Sequence, residues 1–291
     1  MDKRVPYVER IRQVYPDLVV RQARFADYES EFNTILIINE DLVFRFPKYW
    51  HVVERVVIET TILGRIRKYL TLPTPHFIYR NIEGQTVGNV FIGYPLIPGE
   101  SLWSETLATI EDEETLQRLA EPLAGFLKEL HRVPLEELGL ELPPGEGLDE
   151  WKQLYSDIRH ILFPYMRPRA RRQIIDQFET FISDFYSYIY TPCLRHGDFG
   201  PSNILYDPAT LTITGIIDFD FIGPGDPALD IAAVSSYGEP FLERFYAIYP
   251  EIMPMLARAR FFKGTYALQE ALNGLRDGDK KAFERGIAPY Q

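Results

Sequence analysis

The chain has 291 residues, 46% of them hydrophobic, and 31 Lys plus Arg against 42 Asp plus Glu, a formal net charge of −11. That length fits one large domain or two lobes sharing a cleft, and an acidic surface repels the phosphate backbone of nucleic acid while permitting a cationic ligand. A single cysteine, Cys193, excludes an internal disulfide framework and a Cys-based zinc site and reads as a buried small hydrophobe.

The amino-terminal MDKRVPYVERIRQVYP is charged throughout and no window approaches the apolar length of a membrane span, so a soluble cytoplasmic protein with no membrane partner is expected. Residues 5–17 have the apolar spacing of a short helix. "NTILIINEDLVFRFPK" then gives two β-rich runs, Thr34 to Ile38 and Leu42 to Phe46, joined by Asn39, Glu40 and Asp41 as a hairpin. "HVVERVVIETTILGRIRKYL" follows with Val52, Val56, Glu59, Leu63 and Ile66 at helical spacing. The next stretch returns to strands, with Gly84 and Gly88 as turn marks and Pro95 and Pro98 ending the run.

After Pro98 the pattern becomes helical. Residues 112–132 carry a stripe through Leu116, Leu119, Leu123, Phe126, Leu127 and Leu130, with acids in the first turn where the helix dipole favours them. "LPPGEGLDE" is a loop with Asp149 expected as the helix cap. Residues 151–190 read as a helix in two pieces broken at Pro164 or Pro168, and 241–286 read as helical again. Between them lies a β-rich insert, 194–221. The fold class expected is α+β in two lobes, a β-rich one over residues 1–97 and a mainly helical one over 98–291.

The insert holds the chemistry. In "HGDFGPSNIL", Asp198 and Asn203 stand five residues apart in a turn broken by Gly197, Gly200 and Pro201, and a strand, a turn at Asp207 to Thr210 and a second strand ending "GIIDFD" follow. Such a hairpin folds Asp218 back beside Asp198 and Asn203. A carboxylate with a carboxamide oxygen suits a hard cation such as Mg²⁺ that arrives with substrate phosphates, and the remaining carboxylate can accept a proton from a substrate hydroxyl.

That arrangement, H-x-D-x-x-x-x-N, a hairpin and a further Asp, resembles the catalytic loop of protein-kinase-like phosphotransferases. "HGDFGPSNIL", "GIIDFD" and "GDPALDIA" are similar to the signature blocks of the aminoglycoside phosphotransferase and choline-kinase-like family. "VFRFPK", a helix with Glu59, "LPTPHFIY" and "IGYPLIPGESL" occur in the order found in aminoglycoside 2″-phosphotransferases. The resemblance implies a two-lobed protein-kinase-like fold, Asp198 as catalytic base and acceptor contact, and Asn203 and Asp218 as holders of Mg²⁺. It also implies that His196 orients the loop and that Asp230 braces it.

Two departures from the family pattern stand out. Kinase-like enzymes cover nucleotide phosphates with a Gly-rich hairpin, whereas "RFADYESEFNTIL" has no glycine; Ser30 offers a hydroxyl there, and Glu29 and Glu31 must point away. The phosphate-contacting Lys is replaced by Arg45, whose planar fork reaches both a phosphate and Glu59; Lys48 has the opposite strand parity. Backbone groups of Leu96 and Ile97 are expected to meet the purine, with Tyr94 behind it. In related 2″-type enzymes such bulk goes with GTP over ATP, so GTP or ATP is the expected donor. Tyr266, Glu270 and Asn273 share one helical face that would bind an amino sugar, with Asp220 as another cation-facing acid. The expected acceptor is thus a small, cationic, hydroxyl-bearing molecule such as an aminoglycoside. A macrolide, a homoserine- or choline-type metabolite, or a catalytically silent nucleotide-binding role are the alternatives.

Overall fold

Strand alternation in the first hundred residues decides which side chains meet the rest of the molecule. The computed structural model describes residues 2–27, 30, 32–82, 86–140, 142, 145, 147–185 and 190–291. Helix α1 (Val5–Val14) precedes strands β1 (Ala23–Phe25), β2 (Asn33–Ile38) and β3 (Leu42–Pro47); helix α2 (Trp50–Ile66) and strands β4 (Tyr79–Asn81) and β5 (Phe91–Pro95) follow. The strands pair antiparallel in the order β1-β2-β3-β5-β4. Because successive side chains alternate, Phe44 and Phe46 join Leu36, Ile38, Phe91 and Ile11 of α1 on the outer face. Val43 faces the other way, into a core shared with Val53 and Val56 of α2, and Arg45 follows the same parity. Gly93 of β5 has no substitute, since a Cβ would meet the Phe44 ring at 2.6 Å.

The β2–β3 turn places Asn39 and Glu40 at φ 56° and 61°. That conformation matches the twist of the flanking strands but costs a residue with a Cβ. Side-chain bonding offsets the cost. Asn39 Oδ1 accepts from the Arg21 amide at 2.9 Å and its Nδ2 donates to the Val19 carbonyl at 2.8 Å, while Glu40 pairs with Arg24 at 2.9 Å. Gly88 lies in a turn at φ 86°, whereas Gly84 falls outside the described residues.

Beyond β5 the helices are α3 (Ser104–Ala108), α4 (Glu113–His131), α5 (Leu148–Asp157), α6 (Pro168–Asp184), α7 (Ala228–Val234), α8 (Glu239–Ile248), α9 (Leu256–Asp277) and α10 (Lys280–Ile287). Asp112 caps α4 by accepting from the Thr115 amide at 2.8 Å. For α5 the cap differs from the expected Asp149. That residue lies inside the first turn, Gly147 precedes the helix, and the Glu150 carboxylate reaches back to the Gly147 amide at 3.0 Å. Both prolines contribute to the break after α5: Pro164 sits in a 3₁₀ turn over Phe163–Tyr165, and Pro168 opens α6, where its missing N–H costs nothing.

The short strands form two further ladders, β6 (Glu100–Ser101) with β8 (Ile204–Asp207) and β9 (Thr212–Ile216), and β7 (Cys193–Arg195) with β10 (Gly223–Gly225). Cys193 is only partly buried, at the edge of β7, and its surroundings push the thiol pKa up through burial. Helix α4 backs these ladders: Phe126, with no exposed surface, stacks on Phe199 at 5.6 Å and meets Phe219 edge-on at 6.4 Å. Phe126→Ala should therefore lower stability by about 3–5 kcal/mol; chemical denaturation giving a loss under about 1 kcal/mol would remove Phe126 from the core.

Candidate active site

The segment between β7 and β8 is shaped by a buried carboxylate. Asp230 on α7 has no exposed surface, and its oxygens accept from the His196 amide at 2.9 Å and the Gly197 amide at 2.9 Å, with His131 Nε2 of α4 at 3.0 Å. The His131 Nδ1 lies 3.1 Å from the Tyr249 hydroxyl. His196 is buried as well: its Nδ1 accepts from the Asp198 amide at 3.2 Å, so Nε2 carries the proton donated to the Ile217 carbonyl at 3.1 Å. Gly197 takes φ 85°, and a Cβ there would meet the Phe221 carbonyl at 2.5 Å. The chain can turn there only through glycine, and it leaves Asp198 exposed to the cleft.

Hairpin register then brings the second acid in. With Ile204 opposite Ile216, the Ile217 amide donates to the Asn203 carbonyl at 2.9 Å, and Asp218 follows at φ 62°. Asn203 Nδ2 donates to the Asp198 carbonyl and to its Oδ2, both at 2.9 Å, which leaves its own Oδ1 as an acceptor. None of the described residues hydrogen-bonds the Asp218 carboxylate. A left-handed conformation in a non-glycine residue costs on the order of 1 kcal/mol, and here it turns Asp218 toward the cleft.

A charged cluster built around one buried arginine faces these acids from β3. Arg45 Nη1 donates to Glu59 of α2 at 3.0 Å and 3.2 Å, and Nη2 pairs with Asp220. Arg45 and Glu59 are buried. Burial alone would lower the Arg45 pKa, but Glu59, Asp220 and Asp218 outweigh it and raise it. Burial likewise raises the Glu59 carboxyl, and Arg45 restores it only in part because one guanidinium is shared. Asp218 opens to the cleft mouth yet is surrounded by protein, so desolvation raises its pKa against the pull of Arg45, with Asp220 and Asp198 adding to the rise. The cluster thus holds more negative charge than its one guanidinium can neutralise.

On the other side of Asp198 opens a cavity of about 720 Å³, walled by Trp151, Phe221 and Tyr266 and bordered by Glu150, Arg195 and Gln269. The model of the phosphotransferase enzyme family, APH, matches residues 23–262. The chain belongs to that family. It is 32% identical over 203 residues to viomycin phosphotransferase of Streptomyces vinaceus, covering 67% of each chain. Among solved structures it resembles the GDP and kanamycin complex of APH(2″)-IIIa at 26% identity and TM-score 0.87, covering 97% of this chain and 96% of the other. It likewise resembles the GDP complex of wild-type aminoglycoside 2′-phosphotransferase-IIIa at 25% identity and TM-score 0.88, covering 99% and 97%. The fold is therefore the two-lobed, kinase-like one of these phosphotransferases.

Within this phosphotransferase, Arg45, Glu59, Asp198, Asn203 and Asp218 converge on one cleft, while other predicted residues are differently engaged. Asp220 does not line the cavity beside Asp198; its carboxylate is taken by Arg45 and by Asn33 Nδ2 at 3.4 Å, because the residue after Phe219 turns toward β3. Glu270 is paired with Arg285 of α10, and Tyr266 shares the cavity wall with Gln269 instead. The i, i+3 partner faces inward because α10 packs on the Glu270 side of α9. The Leu96 amide is spent on the Asp41 carbonyl at 2.8 Å, which leaves that residue only its carbonyl for a purine edge. Ile97 packs against Gly215, and Tyr94 is buried edge-on to Phe77 at 5.5 Å. Ser30 Oγ accepts from the Asn33 amide at 3.3 Å, and Lys48 holds the Ser30 carbonyl at 2.6 Å; Glu29 and Glu31 lie outside the described residues. Sequence reasoning missed Trp151, Phe221 and the His131–Tyr249 pair, which carry no motif and are joined only by packing.

Asp230 also gives a pH signature. Burial alone would raise its pKa, but the His131 side chain and the Gly197 amide hold it below the ordinary value. A depressed folded-state pKa stabilises above the unfolded value of about 3.9, and that contribution is lost as pH falls through the folded value. Asp230→Asn should cost about 1–3 kcal/mol at pH 7, with the gap to wild type narrowing below about pH 4. Urea titrations from neutral to acid pH read this directly, and a gap independent of pH would contradict it.

Proposed function

We propose that this phosphotransferase moves the γ-phosphoryl group of a nucleoside triphosphate to a hydroxyl of a small, cationic, aminoglycoside-like acceptor. One observation carries the reading: Asp198, fixed by Asn203 and by the His196–Asp230 brace, stands between the Asn203–Asp218 pair and the 720 Å³ cavity. An acceptor hydroxyl in that cavity gives its proton to the Asp198 carboxylate as its oxygen bonds to the γ-phosphorus, while the bond to the β–γ bridging oxygen breaks and the nucleoside diphosphate leaves. Asn203 Oδ1 and the Asp218 carboxylate would hold Mg²⁺. Two oxygens fit an ion that keeps waters and binds substrate phosphates as well, and among the described residues no group of three or more His, Cys, Asp or Glu could hold a metal. When bound, that ion neutralises phosphate charge. Arg45 adds a fixed positive charge from the opposite wall, oriented by Glu59. A reaction that draws on Mg²⁺ and a nucleoside triphosphate suits a cytoplasmic enzyme; separately, no helix among the described residues is long and apolar enough to cross a membrane.

For the donor we favour GTP over ATP. Tyr94 fills the inner end of β5 against Phe77, and the similar structures named above are GDP complexes. We also place the lobe boundary at residue 97, directly after β5.

Mass spectrometry of kanamycin, viomycin and a macrolide, each incubated with the protein, Mg²⁺ and GTP or ATP, is the decisive experiment. One acceptor should gain the mass of a phosphoryl group. Asp198→Ala should cut kcat by about 10²- to 10⁴-fold with Mg·GDP affinity little changed; turnover near the wild-type rate would end the assignment of Asp198. Initial rates should give a lower KM for GTP than for ATP, and Tyr94→Ala should improve ATP use by widening the base pocket. A wild-type preference for ATP would reverse the donor reading.

A further inference from the structure

Asp220 is engaged by two side chains of the five-stranded sheet at once. Its Oδ1 accepts from Arg45 Nη2 of β3, and its Oδ2 accepts from Asn33 Nδ2 of β2 at 3.4 Å. The side chains of Arg45 and Asp220 are only 5% and 6% exposed, so water competes little for either charge. Asn33 is buried too, and its Oδ1 has no hydrogen-bond partner among the described residues. Exchanging the two ends of that amide would aim a carbonyl oxygen at a carboxylate, so donation to Asp220 fixes its orientation.

Arg45 has correspondingly little left to give. A guanidinium presents its N–H groups as a rigid fork. Glu59 takes Nη1 with both carboxylate oxygens, at 3.0 and 3.2 Å, and Asp220 takes Nη2. Each terminal nitrogen of the fork already meets an acid. A phosphate group reaching Arg45 therefore encounters Asp220 twice, as a competitor for Nη2 and as a like charge beside it. Asp218, two residues before Asp220, adds to the field on the same guanidinium. A divalent cation held by Asn203 and Asp218 would change the sign of that encounter, because it offsets the charge of the acids while drawing in the phosphates.

Resting on the phosphotransfer reading above, we infer that Asp220 is a positioning residue that withholds Arg45 from bare polyphosphate and yields it to a nucleotide that comes with its divalent cation. It acts through Arg45 and not on the reacting atoms. By competing for one arm of the fork it makes nucleotide binding conditional on the cation that phosphoryl transfer needs. Glu59 cannot play this part, since it has no exposed surface and holds Arg45 through the other nitrogen.

Isothermal titration calorimetry of GDP and ADP tests this, with Mg²⁺ and with EDTA, on the wild type, Asp220→Asn and Asp220→Ser. Glu59 still pairs with Arg45 in both variants, so neither strands the guanidinium. For the nucleotide that binds, removing the Asp220 charge should tighten the metal-free complex by about five- to tenfold, the scale of one like charge close to a phosphate at a partly screened site. The Mg²⁺ complex should change little, so the factor by which Mg²⁺ strengthens binding shrinks. The parent nucleoside, guanosine or adenosine, carries no phosphate, and its affinity should be the same in all three proteins. A purely structural role would instead lower Tm and weaken nucleoside and nucleotide together. An unchanged Mg²⁺ factor in both variants, or metal-free binding that weakens, overturns the inference. If neither GDP nor ADP binds the wild type with Mg²⁺, the phosphotransfer reading falls and takes the inference with it.

Discussion

A carboxylate without access to water persists in a folded protein only if donors surround it, and Asp230 meets that demand with two main-chain amides of the segment leading to Asp198 and one imidazole. The satisfaction is mutual. Among the described residues the N–H groups of His196 and Gly197 find their acceptors in the acid on α7. Removing the carboxylate would orphan three donors at once, so the path of the chain into Asp198 depends on α7 being packed in place. His131 brings α4 into the same arrangement, and the Phe126–Phe199 stack adds an apolar contact from the same helix. The segment between β7 and β8 is irregular in conformation but fixed from beneath by two helices.

Across the cleft the constraint is charge. Arg45 is buried between Glu59 and Asp220, with Asp218 adding to the same field. Breaking a buried pair by removing one partner costs about 3–5 kcal/mol because the other charge is stranded, so Arg45 and Glu59 are bound to each other whatever else they do. The surplus negative charge around one guanidinium makes the cleft receptive to a divalent cation and unwelcoming to a bare polyphosphate. Within that field desolvation holds the Asp218 carboxyl above its ordinary pKa.

The cavity beside Asp198 follows a different logic. The acids expected to meet the acceptor, Glu270 from helical spacing and Asp220 from its place two residues after Asp218, are engaged by Arg285 and Arg45. What remains along the cavity is the rings of Trp151, Phe221 and Tyr266 set among aliphatic, small and polar residues, with Trp151 backed by the Phe261 and Phe262 rings of α9 and the Phe181 ring of α6. Shape and apolar contact therefore weigh more in this wall than the net charge of the chain implies, and the few carboxylates that border it act at defined points.

Much of this was legible in the linear sequence because it depends on short-range order. The β2–β3 hairpin, the α4 stripe with Asp112 at its head, and the spacing of Asp198, Asn203 and Asp218 are set within some twenty-five residues, where turn chemistry, side-chain period and hairpin register dictate who meets whom. Arg45 could be chosen over Lys48 for the same reason, since strand parity fixes the face. The errors arose where a side chain chooses among distant partners. Asp220 and Glu270 sit on the helix or loop positions the sequence indicates, but an arginine on another element captures each. Asp149 lost its cap position to the reach of Glu150. Leu96 spent its amide on a strand neighbour. By itself, then, the sequence determined the grouping and spacing of Asp198, Asn203 and Asp218, because backbone geometry is local. The tertiary structure alone decided which charges are free, which are paired and which rings line the cavity, because burial and pairing depend on residues that only packing brings together.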